Sequence, residues 1–85
     1  MPEFQVKFKR RIDKKVYKEI YSARRRAYKE CLKGGWGQEC IVFRVLGDSR
    51  YEIGRATATG GDEVIWQFNG QDRYRLNEDG TIKKV

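Results

Sequence analysis

The sequence predicts an α+β fold in which one amphipathic helix packs on a five- to six-stranded antiparallel meander sheet. Apolar residues between positions 14 and 33 recur at the helical period, whereas from residue 39 onward they alternate every second position between short turns. A helix followed by a run of strands, without further helices between them, is typical of α+β domains. With 85 residues, the chain is expected to form a single domain, 1–85, whose small core leaves binding to the surface.

The N-terminal segment 3–9 predicts a strand. Phe4, Val6 and Phe8 alternate with polar residues, two of which are lysines. Lysines on a strand discourage pairing with other molecules, so we expect this strand at an edge of the sheet.

Residues 14–33 predict a helix of about five and a half turns. Asp13 is the expected N-cap, and Gly34 and Gly35 supply the residue that ends the helix. Arg24 interrupts the apolar side, where it either lies between tyrosine rings or makes a specific contact. The apolar side is centred on Val16, Ile20, Ala23, Ala27 and Cys31, with Tyr17, Tyr21, Tyr28 and Leu32 at its flank.

The meander 39–85 is predicted to contain strands 39–46, 50–59, 62–68, 72–77 and 81–85, separated by glycine-containing turns. Gly54 lies inside the second of these strands. It predicts a bend or bulge that would curl the sheet toward a small barrel.

Turn lengths and apolar alternation together predict the strand registers. The expected pairs are Val45 with Tyr51, Phe43 with Ile53, Thr57 with Val64, Arg55 with Trp66, Val64 with Leu76, Trp66 with Tyr74, and Leu76 with Ile82. The face under the helix would then carry Ile41, Phe43, Val45, Tyr51, Ile53, Val64, Trp66, Phe68, Tyr74, Leu76 and Ile82. On the other face Val42, Leu46 and Ile65 would form a small apolar patch, which is a candidate homodimer contact.

The positive charge is concentrated in the N-terminal part of the chain. Residues 1–33 carry 12 basic and 4 acidic side chains, whereas residues 34–85 carry 7 basic and 8 acidic ones, and the net charge of the whole chain is +7. A field concentrated on one segment attracts polyanions over about 8 to 10 Å at physiological salt.

The predicted helix presents a basic stripe opposite its apolar side. Like-charged pairs four residues apart, such as Arg25 with Lys29, each destabilise a helix by roughly 0.2 to 0.5 kcal/mol. We therefore expect the stripe to meet a phosphate backbone or an acidic protein surface, although lysines also keep small proteins soluble. The candidate polyanion-binding residues are Lys14, Lys15, Lys18, Arg25, Arg26, Lys29 and Lys33.

Trp36 lies in the glycine-rich segment 34–37, directly after the basic helix. It is either an exposed anchor for a base or a partner pocket, or a cap on the core where the helix meets the sheet. Together with Arg24, it is the candidate anchor of the binding surface.

The sequence argues against most enzymes. It contains no His, and its two cysteines, Cys31 and Cys40, are too few for a zinc site or a disulfide scaffold, so we expect both to be reduced and structural. Neither a nucleophile–base pair nor a phosphate-binding glycine loop is visible, and no cofactor is implied. The absence of a long apolar run and of a signal-peptide pattern predicts a cytoplasmic protein that does not contact a membrane.

Two functions fit these observations. The first is a non-catalytic nucleic-acid-binding protein, for DNA or RNA, that uses the basic stripe. The second is a phage- or mobile-element-type inhibitor or adaptor. It would dock the same basic surface on a larger protein, for example a nucleic-acid-processing, CRISPR or restriction effector.

Overall fold

The computed structural model describes residues 2–70 and 72–84, which contain one helix and six strands. Every strand pairs antiparallel with its neighbour in the chain, in the sheet order β1 to β6, so the predicted α+β meander is confirmed. The described strands form an open sheet and do not close into a barrel. The elements are β1 (Glu3–Lys7), α1 (Ile20–Gly34), β2 (Glu39–Leu46), β3 (Ser49–Gly60), β4 (Glu63–Phe68), β5 (Arg73–Leu76) and β6 (Ile82–Lys84).

The helix begins at Ile20, so its predicted start after Asp13 is wrong. Residues 8–19, here called the connector, instead run back along the outer side of β1. Phe4 and Tyr17 exchange both backbone hydrogen bonds, at 2.7 and 2.8 Å, and the Asp13 N–H donates to the Val6 carbonyl at 2.8 Å. The chain reverses direction at residues 8–12, and its pairing with β1 keeps the connector out of the helix, which overrides the helical propensity of its lysines.

The core lies between α1 and one face of the sheet. The helix contributes the fully buried Ala23, Ala27 and Cys31. These small helix side chains pack against a sheet layer that includes the larger Trp66 and Leu76, so small and large residues on the two sides together fill the core. The buried residues of the sheet on this side are Phe4, Val6, Cys40, Val42, Ala56, Ala58, Val64, Trp66 and Leu76.

The predicted core face of β2 is wrong. Val42 is fully buried, whereas Ile41, Phe43 and Val45 are only partly buried and alternate with it on the open face of the sheet. The proposed patch of Val42, Leu46 and Ile65 therefore does not exist as one surface, because Val42 lies under the helix.

The predicted strand registers are right in the two C-terminal hairpins and wrong in the two hairpins before them. In the C-terminal hairpins Val64 pairs with Leu76, and Leu76 pairs with Ile82, as predicted. The registers of the other two hairpins differ from the predicted ones by one residue: Val45 pairs with Arg50, and Val64 pairs with Ala58. A two-residue turn at 47–48 causes the first difference, and an irregular register beside Gly60 accompanies the second.

The irregularity expected at Gly54 is confirmed as a shift of register between Val42 and Phe43, opposite Ile53. Gly54 also lies under the indole of Trp66. A Cβ at this position would overlap the Trp66 ring and approach the Gln67 carbonyl oxygen to 2.8 Å. The missing side chain is thus what allows the largest core residue to lie flat on the sheet.

Cys31 and Cys40 are free thiols, and both are buried. The Cys31 thiol donates to the Ala56 carbonyl at 3.4 Å. Its interaction with the Cys40 side chain and the loss of solvation raise the pKa of Cys31, so this thiol remains protonated. No helix within the described ranges is long and apolar enough to cross a membrane.

Candidate nucleic-acid interface

The connector and the first turns of α1 enclose a basic depression of about 650 Å³. Five of its lining side chains are cationic and one is acidic. It is formed because the connector, having paired with β1, returns beside the helix that follows it. The depression is lined by Asp13, Lys15, Val16, Tyr17, Lys18, Ser22, Arg25, Arg26 and Lys29.

The acidic residue of the depression, Asp13, holds the connector in shape. Its carboxylate accepts hydrogen bonds from the Lys15 backbone N–H and from the Tyr17 hydroxyl, both at 3.2 Å. Burial, followed by the charge and hydrogen bond of Asp13, raises the pKa of the Tyr17 hydroxyl. Asp13 therefore organises the segment that carries Lys15 and Lys18, although it does not cap the helix.

Arg26 is the cation of the depression whose charge is balanced. Its guanidinium lies 3.1 Å from the Glu30 carboxylate and 3.8 Å from that of Asp13. The same guanidinium lies over the ring of Phe8, with 5.3 Å between Cζ and the ring centroid, and Arg11 approaches that ring at 5.4 Å. Arg26 thus links the helix to the connector.

The other four cations of the depression are not balanced in this way. Among the described residues, no carboxylate lies within 4.0 Å of the charged groups of Lys15, Lys18, Arg25 or Lys29. All four side chains are exposed. The arrangement is therefore a cluster of exposed positive charges around one concave surface, a pattern that electrostatically favours multivalent anions.

The predicted basic stripe is brought together only in part. Lys15, Lys18, Arg25, Arg26 and Lys29 line the basic depression, but Lys15 and Lys18 reach it from the connector instead of the helix. Lys14, also on the connector, and Lys33, in the last turn of α1, are exposed and do not line it.

Arg24, a candidate anchor, lies in the core and is only 4% exposed. Its Nε–H donates to the Gly80 carbonyl at 2.8 Å, and its guanidinium lies 5.0 Å from the centroid of Tyr21 and 5.5 Å from that of Trp66. Burial lowers the pKa of Arg24, but an arginine stays charged nevertheless. Arg24 therefore joins the helix to the β5–β6 turn and does not face a ligand.

Trp36, the other candidate anchor, is 81% exposed, so it does not cap the core. It borders a second concave surface of about 420 Å³, here called the Trp36 depression. Lys7 and Lys9, which line this surface, were not among the predicted binding residues, because lysines on an edge strand are expected only to discourage pairing with other molecules. The Trp36 depression is lined by Lys7, Phe8, Lys9, Gly34, Trp36, Gly37, Gln38, Glu39 and Ile41.

No protein-family model, curated protein or solved structure matches this chain.

Proposed function

We propose that this protein binds nucleic acid without catalysing a reaction, and that the basic depression holds the phosphate backbone. The observation that carries the proposal is the convergence of Lys15 and Lys18 from the connector with Arg25 and Lys29 from the helix. Four unbalanced cations from two segments form one concave surface, which suits a chain of regularly spaced negative charges.

The energetics favour a ligand over a purely structural role for these cations. Arg25 and Lys29 are four residues apart on α1, a spacing at which like charges destabilise a helix. A phosphate placed between them would turn this repulsion into attraction and would release condensed counterions from the nucleic acid. Asp13 and Glu30 balance Arg26 alone, which leaves the other cations available to the ligand.

The test compares two triple charge reversals. K18E/R25E/K29E alters the basic depression, whereas R73E/R75E/K83E alters exposed cations on strands β5 and β6. Each variant loses three positive charges and gains three negative ones, which takes the formal net charge from +7 to +1. The pair therefore separates the effect of the depression from that of overall charge.

Binding of labelled single- and double-stranded DNA and RNA is measured by fluorescence anisotropy at several salt concentrations. We expect the logarithm of the affinity to fall with the logarithm of the salt concentration at a slope of about −3 to −4, which corresponds to four phosphates neutralised. K18E/R25E/K29E should abolish binding or reduce the slope by about 2 to 3, whereas R73E/R75E/K83E should keep most of it.

Two results would overturn the proposal. Equal losses in both variants would mean that net charge, and not the depression, attracts the nucleic acid. No binding by the wild-type protein at low salt would make the basic depression a docking surface for an acidic protein, as expected of an inhibitor or adaptor.

A further inference from the structure

Trp36 is an exposed aromatic side chain on a fixed backbone. The loop that carries it is held on both sides: the Gly35 N–H donates to the Cys31 carbonyl at 3.0 Å, and the Gly37 N–H donates to the Ala58 carbonyl at 2.9 Å. Both glycines have positive φ angles, +79° and +84°, which direct the chain sharply around Trp36. An indole that is 81% exposed contributes little to the core, and its loop is too well anchored to be a mobile tip.

The Trp36 depression combines this indole with two lysines, Lys7 and Lys9. Its acidic residue, Glu39, is already engaged by the Arg55 guanidinium at 3.0 Å. The free charge beside Trp36 is therefore positive, which is the combination of stacking ring and cations that single-stranded nucleic acids bind.

The walls of the two depressions are in contact through Phe8 and Arg26. Phe8 lines the Trp36 depression, Arg26 lines the basic depression, and the guanidinium of Arg26 lies 5.3 Å from the ring centroid of Phe8. An extended strand whose phosphates occupy the basic depression can therefore continue past this contact toward Lys9 and Trp36.

We propose that the ligand is a single strand of nucleic acid, with one unpaired base stacked on Trp36 and its flanking phosphates on Lys7 and Lys9. This inference rests on the proposed function of the basic depression. A paired base in a duplex is already stacked on its neighbours and has no free face, whereas every unpaired base offers one to an aromatic ring. The ring on a fixed loop thus selects an unpaired strand.

The first experiment measures affinity by anisotropy for a labelled oligothymidylate, an oligouridylate and a mixed-sequence duplex, each 15 nucleotides or base pairs long (about the upper end of a single-strand site). W36A should weaken binding of the single strands about 5- to 150-fold, the range expected for losing one stacked base, and should leave duplex binding unchanged. W36F should retain part of the affinity. A similar loss for thymidylate and uridylate means that DNA and RNA are both accepted, and a loss for one alone identifies the strand that stacks.

The second experiment uses the contrast between the two tryptophans. Trp66 is fully buried, so a ligand that quenches the intrinsic fluorescence of the wild-type protein but not that of W36F contacts Trp36. The matched ligand is an oligomer of abasic sites of the same length, which carries the same phosphates without bases. It should bind more weakly than oligothymidylate and should not quench the fluorescence.

The outcomes separate the two proposals. If oligothymidylate binds with the expected salt dependence but W36A and the abasic oligomer show unchanged affinity, the stacking inference is wrong and the proposed function stands. If no single strand binds at any salt concentration, the stacking inference falls whatever the duplex does. An unchanged thermal midpoint for W36A confirms that the loss of affinity is not a loss of folding.

Discussion

Arg24 and Arg25 are neighbours on the same helix, but they lie in opposite environments. Arg24 is buried, donates to the Gly80 carbonyl and lies between the rings of Tyr21 and Trp66. Arg25 is exposed on the basic depression and has no carboxylate within 4.0 Å among the described residues. The pair shows that a run of arginines can combine a cation buried in the core with one that stays exposed.

The contrast follows from what compensates each charge. Burial of a guanidinium is unfavourable unless hydrogen bonds and polarizable neighbours replace water, and Arg24 obtains both from the β5–β6 turn and the two rings. Arg25 keeps its water and therefore has no such requirement. We infer that Arg25, and not Arg24, is available to a ligand, because the fold itself does not use the charge of Arg25.

The largest effect is expected from displacing the turn whose Gly80 carbonyl accepts the hydrogen bond of Arg24. Gly80 has a φ of +90°, and a Cβ there would overlap the backbone carbonyl of Tyr21. Gly80→Ala should destabilise the protein by roughly 2 to 6 kcal/mol, from backbone strain and displacement of the turn. Because small domains are stable by about 5 kcal/mol, urea denaturation should find a much lower midpoint for the variant, and an unfolded protein at the upper end of this range.

Gly47→Ala is the matched control for this prediction. Gly47 also has a positive φ, +58°, but a Cβ there meets no atom within 4 Å. The control should lose only the strain of the left-handed conformation, about 1 to 2 kcal/mol. Equal losses in the two variants would contradict the importance of the contact between the turn and α1.

Truncating Arg24 and Arg25 in turn tests the comparison directly. Arg24→Ala should lower the free energy of unfolding by about 2 to 4 kcal/mol, because it leaves a cavity and an unpaired Gly80 carbonyl. Arg25→Ala should change it by less than about 0.5 kcal/mol.

The affinity for a labelled oligonucleotide, measured with fully folded protein, should show the reverse order. Arg25→Ala should weaken binding and flatten its salt dependence by about one phosphate contact, whereas Arg24→Ala should not. If folded Arg24→Ala loses as much affinity as Arg25→Ala, the two arginines do not differ in their contribution to binding and the comparison is wrong.

The sequence predicted the fold best where large apolar residues alternate strictly. Val64 and Trp66 can bury themselves only opposite Leu76 and Tyr74, so the register of β4 with β5 followed from the pattern. The predicted core face of strand β2 is wrong because the largest apolar residues of this strand are not the buried ones. The helix covers Cys40 and Val42 instead of Ile41, Phe43 and Val45, and which side of a strand with apolar residues on both faces the helix covers cannot be read from periodicity.

The candidate site was predicted in composition more than in geometry. The excess of positive charge identified Lys15, Lys18, Arg25 and Lys29 as candidates. The predicted helix 14–33 placed all four on one helix, whereas Lys15 and Lys18 lie on the connector. Pairing of the connector with β1 is a tertiary interaction, and a strong local helical pattern hides it. The burial of Arg24 depends on Gly80, which is 56 positions away in the chain.

A smaller effect concerns Arg26, which lies between the two classes of cation because Glu30 balances part of its charge at 3.1 Å. Glu30→Gln should release this guanidinium to the basic depression and raise the affinity for a single-stranded oligonucleotide by up to about fivefold at low salt. The gain should disappear as salt screens the added charge. Glu63→Gln is the matched control, because Glu63 lies on strand β4 and does not line the basic depression. An equal gain in affinity for this variant would show that net charge alone is responsible.

The smallest effect is a pH dependence in the turn that accepts Arg24. The Thr81 hydroxyl and backbone N–H donate to the Asp79 carboxylate at 2.6 and 3.0 Å, and these bonds lower the pKa of Asp79 below its ordinary value, with a minor contribution from Arg25. A carboxylate whose pKa is lower in the folded protein stabilises the fold above its unfolded pKa, near 4, and loses this effect as the pH falls through the folded value. Asp79→Asn should therefore lower the thermal midpoint at pH 7, and the difference from the wild-type protein should shrink as the pH falls below about 4. A midpoint difference of the same size at every pH would mean that the turn depends on the shape of the Asp79 side chain and not on its charge.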